Sequence, residues 1–192
     1  MNSLSSGYRP FIWEWWKHYL SPRTYYYYVK YKIQRANRGW ADCDIWSLDN
    51  YLAEWLPDAL KRLKKIKHGI PMAVFPEDPQ YTDETGNATE AATEIASKNW
   101  DEILGKMISG FEAYNRTQDS PQSYENEIGE FPDIPWRFEP AGPHSSRLVH
   151  TPEEEASLDD WMAKERPLIE RDQKIWEEGA GLFIKYFGSL WD

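Results

Sequence analysis

Apolar residues recur at helical spacing in four stretches of the chain, predicting helices over about 22–38, 45–67, 89–115 and from 152 onward. In the first, Ser21-Pro22 supplies a cap with proline at the opening position, and Gly39 supplies the stop. At about 100° per residue, Tyr25, Tyr26, Val29, Ile33 and Ala36 share one face and Tyr28, Tyr31, Lys32, Arg35 and Arg38 the other. The run YYYYVKY is β-prone, so a strand is the competing reading. The second helix, capped by Asp44, carries a stripe of Ile45, Leu48, Leu52, Trp55, Leu56, Ala59, Leu63 and Ile66. Pro57 is expected opposite that stripe, facing solvent. The lysines of KRLKKIK suit the negative end of the helix dipole, and Gly69 ends the segment.

The third helix aligns Ala96, Trp100, Ile103, Leu104, Met107, Ile108 and Phe111. The fourth opens on Thr151-Pro152-Glu153-Glu154, a capping box with proline at its first position. Pro167 is expected to divide it into 152–165 and 167–189. The final stretch IWEEGAGLFIKYFGSLW is apolar around most of its circumference, which predicts burial on several sides, in the core or in a homo-oligomer interface.

Two long irregular segments separate these helices, 69–88 and 116–150, the second rich in proline with Phe131, Trp136 and Phe138 among them. Those aromatics suit a segment packed against the body. The expected fold is all-α, a single-domain irregular bundle of four to five helices with long Pro- and aromatic-rich loops. Helices 45–67, 89–115 and 167–189 should form its core, with Phe11, Trp13, Trp15 and Trp16 packing over it or into a partner.

Composition narrows the class. In 192 residues there are 11 Trp, 12 Tyr and 7 Phe, too many for a disordered chain. One cysteine excludes a disulfide framework and a multi-thiolate zinc site. No apolar run nears the roughly 18 residues of a membrane span, and the N-terminus lacks the pattern of a signal peptide, so a soluble intracellular protein is expected. The formal net charge of -10 is unevenly spread. Residues 1–68 hold 12 Lys and Arg against 6 Asp and Glu, and residues 69–160 hold 5 against 20. General nucleic-acid binding is not expected from that balance, but a local anion site, or pairing of the basic third with the acidic region, remains open.

Motifs for chemistry are scarce. There is no GxxxxGK[ST], GxGxxG or GxSxG, and no HxxxH pair joins His18, His68, His144 and His150. Cys43 lies between Asp42 and Asp44, whose charges should raise its thiol pKa. Glu54 with Asp58, Glu90 with Glu94, and Asp101-Glu102 offer carboxylates, without the ExxE/ExxD pairing of the magnesium-dependent, MazG-like nucleotide pyrophosphatases. Glu127 and Glu130 have that spacing only within a proline-rich loop. No catalytic, metal or cofactor residues are therefore assigned.

The candidate binding site is aromatic and basic. Tyr28, Tyr31, Lys32, Arg35 and Arg38 are followed by Trp40, then Asp42, Asp44 and Asp49, with His68 ending the next helix. Arginine can grip a phosphate or carboxylate bidentately and Tyr or Trp can stack on a base, so the set suits a small anionic or nucleotide-like ligand. Equally, Arg35 and Arg38 can pair with Asp42, Asp44 or Asp49 to fix a helix–turn–helix corner.

The block from Lys30 to Pro71 resembles a set of uncharacterised proteins of tailed bacteriophages. Arg38-Gly39, Asp42, Asp44, Trp46, Leu48-Asp49, Tyr51-Leu52-Ala53 and His68-Gly69-Ile70-Pro71 fit the first part of their outline. Trp100, Ile103-Leu104, Lys106-Met107, Gly110-Phe111-Glu112, Gly181-Leu182-Phe183 and Ser189-Leu190-Trp191-Asp192 fit the rest. The resemblance covers about 30–115 and 176–192. It implies a phage-encoded protein of the host bacterial cytoplasm or of the virion, and supplies no activity. The expected function is a non-enzymatic accessory protein binding a host protein or a small anionic ligand. The alternatives are a metal-dependent nucleotide hydrolase and a virion assembly component.

Overall fold

The computed structural model describes residues 22–83, 85–142 and 145–191. The N-terminal tryptophans, His18, the cap at Ser21 and His144 lie outside them. The described residues are 71% helical, with five α-helices and a two-stranded sheet among them: α1 (Pro22–Arg38), α2 (Leu48–Ile66), α3 (Glu90–Gln118), α4 (Glu125–Ile128) and α5 (Pro152–Tyr186), with β1 (Arg137–Gly142) and β2 (Ser145–Val149). Short 3-10 turns cover Asp42–Ser47, Met72–Val74, Pro79–Tyr81 and Phe187–Ser189. No helix of the described residues is long and apolar enough to cross a membrane. Two compact units emerge, Met1–Leu52 and Ala53–Asp192.

In the second unit, α3 and α5 run antiparallel over a core of Ala96, Trp100, Leu104, Met107, Ile108, Phe111 and Tyr186, as the α3 stripe predicts. Trp100 packs on Tyr186 and Phe111 on Trp176 and Phe183, with ring centroids 5.1–5.5 Å apart. Midway the two helices touch backbone to backbone at Gly110 and Gly179. A Cβ on Gly179 would lie 2.7 Å from the Gly110 Cα and from the Lys106 carbonyl oxygen. Thr151 and Glu154 close the capping box that opens α5, with Thr151 N–H donating to Glu154 Oε2 at 2.8 Å.

The C-terminal part of α2 lies antiparallel to α3: Ala53 meets Asn115, Lys61 meets Glu112 and Lys67 meets Asp101. Pro57 departs from the expectation of a solvent-facing site. It is buried with Ala53 and Leu60, at i, i+4 and i+7 on the face turned to the core. Proline has no N–H for the carbonyl four residues back, so the Ala53 oxygen loses its helical donor. The Asn115 side-chain amide supplies one at 2.8 Å. Of the expected stripe, Leu56 and Leu63 pack against the core, whereas Ile45, Leu48, Leu52 and Trp55 are exposed.

Pro167 does not divide the last helix, and α5 is continuous from Pro152 to Tyr186. Pro167 and Ala163 are both exposed, so water can donate to the carbonyl that the missing N–H leaves open. The final stretch buries one side on α3, while Ile184, Phe187 and Trp191 stay exposed. Segment 116–150 is less irregular than expected, since it contains α4 and the β1–β2 hairpin. Phe131 packs edge-on to Trp161 as anticipated, whereas Trp136 and Phe138 do not pack on the body.

Candidate functional site

Most of the sequence-predicted site falls in the first unit, where α1 turns into the 3-10 turn Asp42–Ser47. Gly39 adopts φ +82°, the left-handed region that glycine enters without a Cβ penalty, and its N–H donates to the Arg35 carbonyl at 2.9 Å. Tyr51 Oη–H donates to the Gly39 carbonyl at 2.6 Å. The chain then doubles back. Ala41 and Asp44 bond reciprocally, the Ala41 N–H to Asp44 Oδ2 at 2.7 Å and the Asp44 N–H to the Ala41 carbonyl at 3.0 Å.

This turn aims its aspartates at the arginines of α1. Arg35 Nε donates to Asp44 Oδ2 at 3.0 Å while its Nη2 pairs with Oδ1, a two-toothed grip on a buried carboxylate. Arg38 pairs with Asp42, donates from Nε to the Trp40 carbonyl at 3.0 Å, and lays its guanidinium 3.6 Å from the Trp40 ring centroid. Asp42 also takes Lys30 Nζ at 3.1 Å and the Gln34 amide at 2.7 Å, and its own N–H donates to Gln34 Oε1. The donors from Gln34, Arg38 and Lys30 hold the Asp42 carboxyl well below the usual carboxylate range. The Arg35 bond lowers Asp44 against the opposing effect of burial. Burial, reinforced by the Asp44 carboxylate, raises the Cys43 thiol, in the direction its neighbours predict.

Of the other predicted residues, Lys32 sits over the Tyr28 ring at 4.4 Å and Tyr31 stacks on Tyr27 at 5.8 Å, both along α1. Asp49 lies in the first turn of α2, and His68 follows α2 in the second unit. Lys30, Gln34 and Tyr51 complete the corner but are missed by the sequence reading. Gln34 reaches a partner eight residues on, a separation that no helical or turn spacing rule joins.

The corner therefore spends its charges on itself and presents apolar groups outward. Trp46 is 93% exposed, and Ile45 and Leu48 beside it are also exposed. Along α1, Tyr26, Val29 and Ile33 line a shallow groove of about 270 Å³ together with Lys30 and Gln34, the two residues that also hold Asp42.

A second charged cluster, not foreseen, lies in the second unit. Asp172 is fully buried and accepts from Arg116 Nε at 2.7 Å and Nη2 at 3.1 Å, from Arg171 Nε at 3.0 Å and from the Tyr124 hydroxyl at 3.1 Å. Arg171 also holds Glu127 at 2.9 and 3.2 Å. Burial works against the Asp172 charge, yet the two arginines and Tyr124 outweigh it and its pKa is lowered. Burial and the carboxylate push Tyr124 up to about 12. Every oxygen is engaged, so the cluster ties α4 and the chain before it to α5. Other helix carboxylates are paired with lysines, Glu94 with Lys98 and Asp101 with Lys67. Among the described residues no group of three His, Cys, Asp or Glu side chains is arranged to hold a metal.

No protein-family model, curated protein or solved structure matches the chain.

Proposed function

We propose that the protein is a non-enzymatic binding protein whose N-terminal corner engages a protein partner through Trp46, with the exposed Ile45 and Leu48 next to it in the chain. The observation that carries this reading is a 93%-exposed tryptophan on a turn fixed by Arg35–Asp44 and Arg38–Asp42. Tryptophan is the residue type most enriched among interface hot spots, and a turn held rigid before binding loses little entropy when it binds. A small anion is less well served, because it would have to displace Asp42 or Asp44 from arginines that already hold them. On the resemblance to phage proteins, the partner is a protein of the bacterial host and the encounter takes place in its cytoplasm.

Capture from bacterial lysate with the wild-type chain and with Trp46→Ser tests this. A partner retained by the wild type and lost with Trp46→Ser, at equal melting temperature, is the expected result. Equal capture by both chains, or a rise in melting temperature with nucleotides that Arg35→Ala abolishes, would contradict it.

A further inference from the structure

A cleft of about 340 Å³ lies where α3, α5 and the turn Met72–Val74 meet, wholly within the second unit. Its floor is apolar: Val74, Ile103 and Leu182 line it, and all three belong to the core or pack against it. The backbone contact of Gly110 with Gly179 draws the two helices together here and sets Lys106 of α3 against Glu178 of α5, with Nζ 2.9 Å from Oε1. Glu102, one turn before Lys106, approaches the same ammonium at 3.7 Å. Both carboxylates are more than half exposed, so each keeps lone pairs for another donor.

Two further acceptors line the cleft. Asn99 donates from its side-chain amide to the Val74 carbonyl at 3.3 Å, and among the described residues nothing donates to its side-chain oxygen. Tyr186 is only 6% exposed, with its ring on Trp100, and among the described residues its hydroxyl makes no hydrogen bond. A hydroxyl held that deep without a partner is costly unless something else binds it. Against these four acceptors the cleft sets one ammonium, that of Lys106. The field around it has the same sign, since residues 69–160 hold 20 Asp and Glu against 5 Lys and Arg. The volume is at the small end of ligand sites. We propose that this cleft binds a small organic cation, a primary ammonium on a short apolar stem, with the ammonium among Glu102, Glu178, Asn99 and Tyr186 and the stem on Ile103 and Leu182. Lys106 competes with that ammonium for the two carboxylates. The proposal involves no part of the Trp46 surface, which lies in the first unit.

Calorimetric titration of the full chain with hexylamine tests this, with hexanol and hexanoate as controls that share the stem. Hexylamine is expected to bind saturably, one per chain and more weakly as salt rises, while neither control binds. Glu102→Gln with Glu178→Gln should weaken binding at least about tenfold, the loss expected for charge-assisted hydrogen bonds. Tyr186→Phe, which keeps the ring on Trp100, should weaken it by roughly threefold or more. Lys106→Met keeps the stem, removes the competing ammonium and should tighten binding. Glu153→Gln with Glu155→Gln, acidic residues of α5 outside the cleft, should change nothing. The carboxylates and Lys106 are exposed and the Tyr186 change is isosteric, so melting temperatures without hexylamine should be kept, and they are checked. Absence of saturable hexylamine binding, equal binding of hexanol, or wild-type affinity in the Glu102/Glu178 or Tyr186 variants would overturn the proposal. So would weaker binding by Lys106→Met, or an equal loss in the Glu153/Glu155 variant.

Discussion

Asn115 shows how one side chain makes a buried proline tolerable. Pro57 removes the N–H that would serve the Ala53 carbonyl, and the Asn115 amide replaces it from the neighbouring helix. Asn115→Leu would leave that buried acceptor without a partner, at a cost of about 1–3 kcal/mol. Combined with Pro57→Ala, which restores the helical donor, the same substitution should cost less. Chemical denaturation of the two single variants and the double variant measures the difference. Asp172 carries a second prediction. Its folded pKa is lowered, so its contribution is fully present above the unfolded value of about 4 and fades as pH falls through the lower folded value. Asp172→Asn, which strands Arg116 and Arg171 beside a neutral group, should lose about 3 kcal/mol at neutral pH. The gap from wild type should narrow steadily below about pH 4. Neither residue was legible in the sequence. Asp172 draws partners from positions 116, 124 and 171, and no spacing rule joins those. Asp42 and Asp44 were legible, because a glycine stop places them within reach of the arginines one turn back.

At the level of elements, the α3 stripe and the Thr151–Glu154 capping box could be read directly, since one helix face and one turn contain all the information they need. The fate of the two prolines could not. Whether a proline ends a helix depends on what serves the orphaned carbonyl, and that is Asn115 of another helix at Pro57 and solvent at Pro167. The hairpin was hidden for a related reason: Pro140 and the glycine at 142 break the alternation that marks a strand. The meeting of α3 and α5 gives the clearest element-scale test. Gly179→Ala puts a methyl group into the Gly110 backbone and should destabilise by about 1–3 kcal/mol despite alanine's better helix propensity. Gly181, two residues on, faces open space, so Gly181→Ala should stabilise by up to about 1 kcal/mol. Thermal or urea unfolding of the pair separates packing from propensity.

Across the whole molecule, the uneven charge was plain from the sequence, but its use was not. In the first unit the basic groups nearest the turn, Lys30, Arg35 and Arg38, are paired with Asp42 and Asp44, beside the exposed Trp46. The second unit sets Arg116 and Arg171 on Asp172, and Trp136 and Phe138 are exposed on its hairpin. The Asp42/Asp44 turn and the Asp172 cluster thus satisfy their own charges, while Trp46 beside the first and Trp136 and Phe138 on the hairpin are exposed. The most direct test is a calorimetric titration of the captured host partner into the wild-type chain and into Trp46→Ser. A hot-spot tryptophan predicts a loss of at least about 2 kcal/mol, roughly thirtyfold in affinity, with the melting temperature unchanged. Equal affinity for the two chains would contradict the assignment of Trp46 as the centre of the binding surface.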